Sequence, residues 1–403
     1  MSKPATSIRP AQRTAHITYA VRDIVAVAQE AAKAGKEMLY LNIGDPNQFD
    51  FATPPHLVEA VHKAMRDNKN SYSPSSGIPA AVKAIEAEAG RSGIRNIRDI
   101  FVTNGGSEAI EICLTALADR GENVLTPYPG YPLYEAVLAK LEVSLRPYYL
   151  DEDNGWQPDI EDIRAKIDDR TRAIVLINPN NPTGSVCSEE TLRAVLALAR
   201  ERGIVVFCDE IYDKMLLTEQ KHISIAALDP AAPVITFNGL SKGFQAPGWR
   251  IGWGIVSGDG AVLGDYIEAI NKILRARLCA SHPMQHAIAP ALEGEQAFMR
   301  EVGAKLRRRR DITFEMLNSA EGISCVRPEG AFYGFPRLDI PGSDEDFVKA
   351  LVRETGVVPV HGSGFGQKPG TRHMRVVFLP PEDVLRKAYA RILEFLAKYR
   401  ARA

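Results

Sequence analysis

Between about residue 98 and residue 257 the chain alternates short apolar runs of β-forming residues with stretches of helical periodicity, and this restricts the fold more than any other feature. The runs are DIFVT, ENVLTP, VSLRPYYL, RAIVLI, IVVFC, VITFN and WRIGWGIV. Such alternation predicts an α/β unit whose mostly parallel, seven-stranded sheet is covered by helices on both faces. Helices fit the intervening segments Ser107–Leu117, Tyr131–Lys140, Pro158–Ile167 and Ser188–Arg202, the last with a Ser-x-x-Glu-like start. From about 259 to 320 the pattern is almost wholly helical. ISCVRPEGAFYGFPRL, VVPVHG and HMRVVFLP then interleave with two further helical stretches, which predicts a second, smaller α+β unit. A helix around Ile17–Lys36 stands apart from the sheet run and fits either unit.

A chain of 403 residues exceeds the usual size of one core, so two domains are expected. A formal charge of −1 gives no surplus for holding a polyanion, and Arg307-Arg308-Arg309-Arg310 reads as a solvated helix face. No nucleic-acid partner is expected. The five cysteines are scattered, without CxxC or zinc spacing, and read as reduced thiols of a cytoplasmic protein with no metal site. No apolar run approaches the roughly 20 residues that cross a bilayer. The basic N-terminus MSKPATSIRPAQR lacks the apolar core of a signal peptide and reads as a flexible arm.

In an open parallel sheet, ligands bind beyond the carboxyl ends of the strands, and several polar groups stand where a run has just ended. Asp209 follows IVVFC, and Tyr212 lies three residues on, so both point to one region if the chain turns helical there. Asp209 also suits the N-cap of such a helix. Lys242 follows VITFNGLS among glycines; in a low-dielectric crevice it becomes an amine nucleophile, and on a surface it is an ordinary solvated lysine. Arg250, eight residues later, offers a planar fork for phosphate or carboxylate. Thr103-Asn-Gly-Gly-Ser107 joins a strand to a helix, where bare backbone N–H groups hold anions. His361-Gly-Ser-Gly-Phe-Gly366 does not lead into a helix and reads as an ordinary mobile loop. Arg375, inside the strand pattern HMRVVF, needs a partner, either a carboxylate ligand or a structural ion pair.

The motifs GGSEAI, YPGYPLY, NPNNPTG, DEIYD, GLSKGF…GWRIG and HMRVVF stand in the order and approximate spacing of one family. From LNIGDP to HMRVVFLP the sequence resembles the fold type I, class I pyridoxal-phosphate-dependent aminotransferases, and is most similar to the bacterial and archaeal alanine aminotransferases. Gln245 departs from the family's lysine signature, where a small or aliphatic residue is more usual. The resemblance implies a large cofactor-binding domain over 46–290, an N-terminal arm and part of the small domain over 1–45, and a small domain over 291–403, the small domain being formed by both termini.

By the same resemblance, Lys242 forms the Schiff base with pyridoxal 5′-phosphate and afterwards moves the substrate proton, and Asp209 pairs with the cofactor's pyridine nitrogen. Asn181 and Tyr212 hold its ring oxygen. Gly106, Ser107, Arg250 and Ser241 form the phosphate cup, and Tyr131 stacks on the ring. Tyr72 reaches the neighbouring subunit's cofactor, implying a homodimer with shared sites. Arg375, with Asn181 and Gly44, receives the substrate α-carboxylate. The prolines beside Asn181 read as a clamp on that amide, with Asn181–Pro182 a candidate cis bond.

The activity implied is exchange of an amino group between alanine, or another small neutral amino acid, and a 2-oxo acid such as 2-oxoglutarate. An aspartate or aromatic aminotransferase is the alternative, and a C–S lyase a further one. The run Ser281-His-Pro-Met-Gln-His-Ala-Ile-Ala289 lacks the arginine that holds a distal carboxylate in mammalian-type aspartate aminotransferases, although Arg275, Arg277 and His282 lie near in sequence. A transcription regulator built on this fold would carry a DNA-binding domain first, and the roughly 40 residues before LNIGDP are too few for one.

Overall fold

The computed structural model describes residues 8–17 and 20–401. At its centre lies an eight-stranded sheet in the order Ile97–Thr103, Gly252–Ser257, Val234–Gly239, Val205–Asp209, Thr171–Ile177, Asn123–Tyr128, Ser144–Asp151, Gln157–Pro158. Seven of these are the expected strands. The eighth, Gln157–Pro158, is a two-residue antiparallel edge on Ser144–Asp151, and nothing so short leaves a periodic signal. Among the seven, only Gly252–Ser257 runs against its neighbours.

Side-chain alternation explains why both faces are covered. Ile174, Leu176, Val206 and Cys208 enter one core, whereas Ala173, Val175, Val205 and Phe207 enter the other. The helices Gly106–Leu117, Leu133–Leu141 and Gly260–Arg277 close the second face. Helix Glu189–Arg202 starts at Ser188, whose hydroxyl accepts from the Thr191 N–H at 3.1 Å.

The carboxy-terminal elements build an antiparallel trio, Tyr333–Gly334, Met374–Val377 and Val360–His361. Their core, through Phe332, Phe347 and Tyr389, is continuous with the first face of the large sheet. The amino-terminal segment joins them: Leu39–Tyr40 pairs in parallel with Val357–Val358, and helix Ala20–Lys33 packs on helix Asp344–Thr355. This settles which unit the detached helix serves. Residues 1–7 of the expected arm lie outside the described residues, and Gln12–His16 form a 3-10 turn against helix Leu133–Leu141.

The arginine run is not the expected solvated face. In helix Ala297–Leu317, Arg309 and Arg310 are buried. Arg309 donates both to Asp50, at 2.8 Å to each oxygen, and to the Leu379 carbonyl, and Arg310 donates to the Leu217 carbonyl at 2.7 Å. Four consecutive residues cannot share one face of a helix at 100° per residue, so the last two turn inward and find acceptors there. None of the described helices is long and apolar enough to cross a membrane, and no group of metal-ligating side chains occurs among the described residues.

Candidate active site

The parallel strands end side by side, and Ile177 is directly paired with Asp209, and Asp209 with Phe237. Loops that leave these ends therefore converge on one spot. A cavity of about 250 Å³ opens there, lined by Gly44, Gly106, Ser107, Tyr131, Asn181, Asp209, Tyr212, Ser241, Lys242, Arg250 and Arg375. Of the residues that the resemblance assigns to cofactor and substrate, Tyr72 is the one that lies elsewhere. It is 80% exposed and does not line the cavity of its own chain.

Lys242 is half-buried, and its Nζ donates to the Gly44 carbonyl at 2.7 Å. Burial lowers its ammonium to about 8, helped by Arg375 and Arg250 and opposed by Asp45 and Asp209. Asp209 is buried, and burial raises its carboxyl to about 7, against the Ile211 N–H that donates to its Oδ1 at 3.2 Å. The chain after Asp209 makes two successive turns instead of the conditional helix, because Asp213 N donates to Glu210 O and Met215 N to Tyr212 O. Tyr212 still reaches the cavity, and its hydroxyl meets that of Tyr333 at 2.8 Å.

The three asparagines of NPNNPTG divide their work. Asn178 accepts from Cys187 N, and Asn180 accepts from the N–H and hydroxyl of Thr183, so these two hold the turn together. Asn181 alone faces the cavity, accepting from Arg375 Nη1 at 3.3 Å. The cis bonds fall at Asn178–Pro179 and Tyr128–Pro129, not at Asn181–Pro182. The reversal sits at the strand end itself, where Asn178 N still pairs with the Asp209 carbonyl and the chain must then fold back.

Arg375 is buried in the strand Met374–Val377 and donates to the Asn42 carbonyl at 2.6 Å. Its guanidinium lies 4.9 Å from the Tyr333 ring centroid and 4.6 Å from that of Phe365. Both aromatic residues escaped the sequence reading. Tyr333 belongs to the aromatic run AFYGF, a signal available beforehand. Phe365 lies in the loop taken as ordinary and mobile, which instead buries Phe365 and accepts the Gly130 N–H at 2.8 Å.

Arg250 also lines the cavity. Gly105 has φ +87°, and a Cβ there would stand 2.3 Å from Arg250 Nη2, so the guanidinium lies against the start of helix Gly106–Leu117. The first-turn N–H groups of that helix, at Gly106 and Ser107, have no intrahelical acceptor. The nearby cations raised for a distal carboxylate are engaged elsewhere: Arg275 with Glu268, Arg277 with the Val102 carbonyl and His282 with the Ser71 carbonyl. None of the three lines the cavity.

Pyridoxal phosphate fits this donor set. The helix start with Arg250 suits a phosphate, and a buried carboxyl whose only nearby cation among the described residues is the more distant Lys242 suits a protonated ring nitrogen. A lysine of depressed basicity lines the same cavity. The family model for class I and II aminotransferases matches residues 36–392. The chain is 38% identical to the glutamate-pyruvate aminotransferase AlaA of Haemophilus influenzae, over 96% of this chain and 97% of that protein. It is 40% identical to the alanine aminotransferase of Mycobacterium tuberculosis, over 95% and 91%. The solved alanine aminotransferase of Pyrococcus furiosus superposes with a TM-score of 0.93 at 40% identity, covering 97% of this chain and all of that one. The chain belongs to the class I and II aminotransferases, pyridoxal-phosphate-dependent enzymes that exchange an amino group between amino acids and 2-oxo acids.

Proposed function

We infer that the chain is an alanine aminotransferase, passing the amino group between alanine and 2-oxoglutarate. The observation that carries this reading is the convergence of Lys242, Asp209, Asn181, Tyr212, Arg250 and Arg375 on one cavity, in a chain whose near-full-length relatives bear that name.

When bound, pyridoxal phosphate would supply an electron sink that makes the substrate Cα proton labile. Lys242 would take that proton as a neutral amine and deliver it to C4′ of the cofactor, work its depressed basicity suits. Asp209 keeps a proton on the ring nitrogen. Tyr212 and Asn181 orient the ring oxygen, Tyr131 packs on the ring, and Gly106, Ser107, Ser241 and Arg250 hold the phosphate. Arg375 grips the α-carboxylate with Asn181 beside it, while Gly44, having no side chain, leaves room.

We also propose a homodimer with shared sites, in which the exposed Tyr72 reaches the partner's cofactor. The domain division 1–45, 46–290 and 291–403 is supported by the pairing of Leu39–Tyr40 with Val357–Val358. Five free cysteines favour a reducing, cytoplasmic setting.

Lys242→Ala should abolish the visible absorbance of the purified protein and cut turnover by at least about 10²- to 10⁴-fold. Retention of both colour and activity would refute the assignment. In a panel of amino donors with 2-oxoglutarate, alanine should exceed aspartate and tyrosine in kcat/KM, and parity would remove the alanine preference. Pyruvate released from a cysteine conjugate without any 2-oxo acid would mark a lyase instead.

A further inference from the structure

Tyr333 is buried and arrives from the strand Tyr333–Gly334, which pairs with the strand of Arg375. Its backbone approach is tied to the NPNNPTG turn, since Glu329 N and Gly330 N both donate to the Gly184 carbonyl at 2.8 Å. Its hydroxyl meets Tyr212 at 2.8 Å, and a Cβ on Gly44 would stand 2.6 Å from that hydroxyl. Its ring faces the Arg375 guanidinium at 4.9 Å. One side chain thus touches the group assigned to the cofactor's ring oxygen and the group assigned to the substrate carboxylate.

We propose that Tyr333 is a positioning residue: its hydroxyl donates to Tyr212 and frees the Tyr212 proton for the cofactor's ring oxygen, while its ring seats Arg375. The inference rests on the cofactor reading above. A phenol carries a single proton. In a pair of hydroxyls, one donates and the other accepts, and Tyr212 serves an anionic oxygen only if its own proton is not spent on Tyr333. The Tyr333 proton must therefore point at Tyr212. Gly44 is the matching condition, because any side chain there would displace the Tyr333 hydroxyl. The same contact sits beside the Gly44 carbonyl that receives Lys242, so the three groups share one wall of the cavity.

The test uses full-length protein stripped of cofactor and reloaded. Tyr333→Phe should weaken pyridoxal phosphate about 2- to 3-fold, because a Tyr212 hydroxyl that no longer accepts a hydrogen bond is a weaker donor to the ring oxygen, measured by fluorescence titration of the apoprotein. It should also move the pH midpoint of the bound cofactor's visible absorbance upward, since a weaker donor at the ring oxygen favours its protonated form. Tyr212→Phe should move it in the same direction, and the double variant no further than Tyr212→Phe alone. Tyr333→Leu, which removes the ring as well, should additionally raise KM for the amino acid, whereas Tyr333→Phe should not. An unchanged midpoint and affinity in Tyr333→Phe, with a thermal midpoint close to wild type, overturns the proposal, as do additive shifts in the double variant. Wild-type protein that takes up no pyridoxal phosphate would instead remove the functional reading, and this one with it.

Discussion

Asp209 shows how one residue couples site chemistry to stability. Its carboxyl is raised from 3.8 to about 7 by burial, so in the folded apoprotein it keeps a proton that the unfolded chain has already released. Between about pH 4 and pH 7 the native state binds more protons than the unfolded one, and the contribution of this group to stability falls as pH rises. Below that window the penalty is absent, and above it the penalty is complete. Asp209→Asn removes the titration. The melting temperature of the apo variant minus that of the apo wild type should therefore grow across that window and flatten above it, by scanning calorimetry. A difference constant with pH would contradict the assignment. In the loaded enzyme the same burial would have a use, because a buried carboxylate would be completed by a protonated ring nitrogen.

The strand-end loops and helix Ala297–Leu317 are the elements where local sequence says least about role. NPNNPTG looks like a single rigid polar turn, yet Asn178 and Asn180 are spent on Cys187 and Thr183, and only Asn181 is left for the site. No local pattern distinguishes three asparagines; their roles follow from which way the fold-back points each one. The arginine run makes the same point energetically. Arg309→Ala should lower stability by about 2 kcal/mol, because it removes charged hydrogen bonds and leaves the Leu379 carbonyl buried without its donor. Arg307→Ala, two residues away and only half-buried, should stay within about 0.5 kcal/mol. Urea unfolding of the two variants decides this, and equal losses would return the run to a uniform surface face.

For the whole molecule, the decisive question is what covers Tyr72. It is 80% exposed in one chain. If sites are shared, Tyr72→Phe should leave dimerisation, to be measured by light scattering, unchanged and weaken pyridoxal phosphate about 3- to 10-fold. A hybrid dimer of Lys242→Ala and Tyr72→Phe chains, purified with two tags, should then bind cofactor at its one intact lysine with wild-type affinity, because that site draws its Tyr72 from the other chain. Weakened binding in the hybrid would show that each site is self-contained.

The seven principal strands, their parallel sense and the carboxyl-end location of the site were legible in the sequence, because burial on both faces and the 3.6-residue helix period write themselves into local composition. Asp209 and Lys242 were legible for the same reason, since each stands within a few positions of its strand's end, whereas Asn181 drew its role only from the family resemblance and Arg250 from its place eight residues after Lys242. What only the tertiary structure decided involves partners far apart in the chain. Tyr333 meets Tyr212 across 121 positions, Arg375 meets Asn42 across 333, and Leu39 pairs with Val357. Such contacts leave no periodic trace, since nothing local constrains either partner until the fold brings them together.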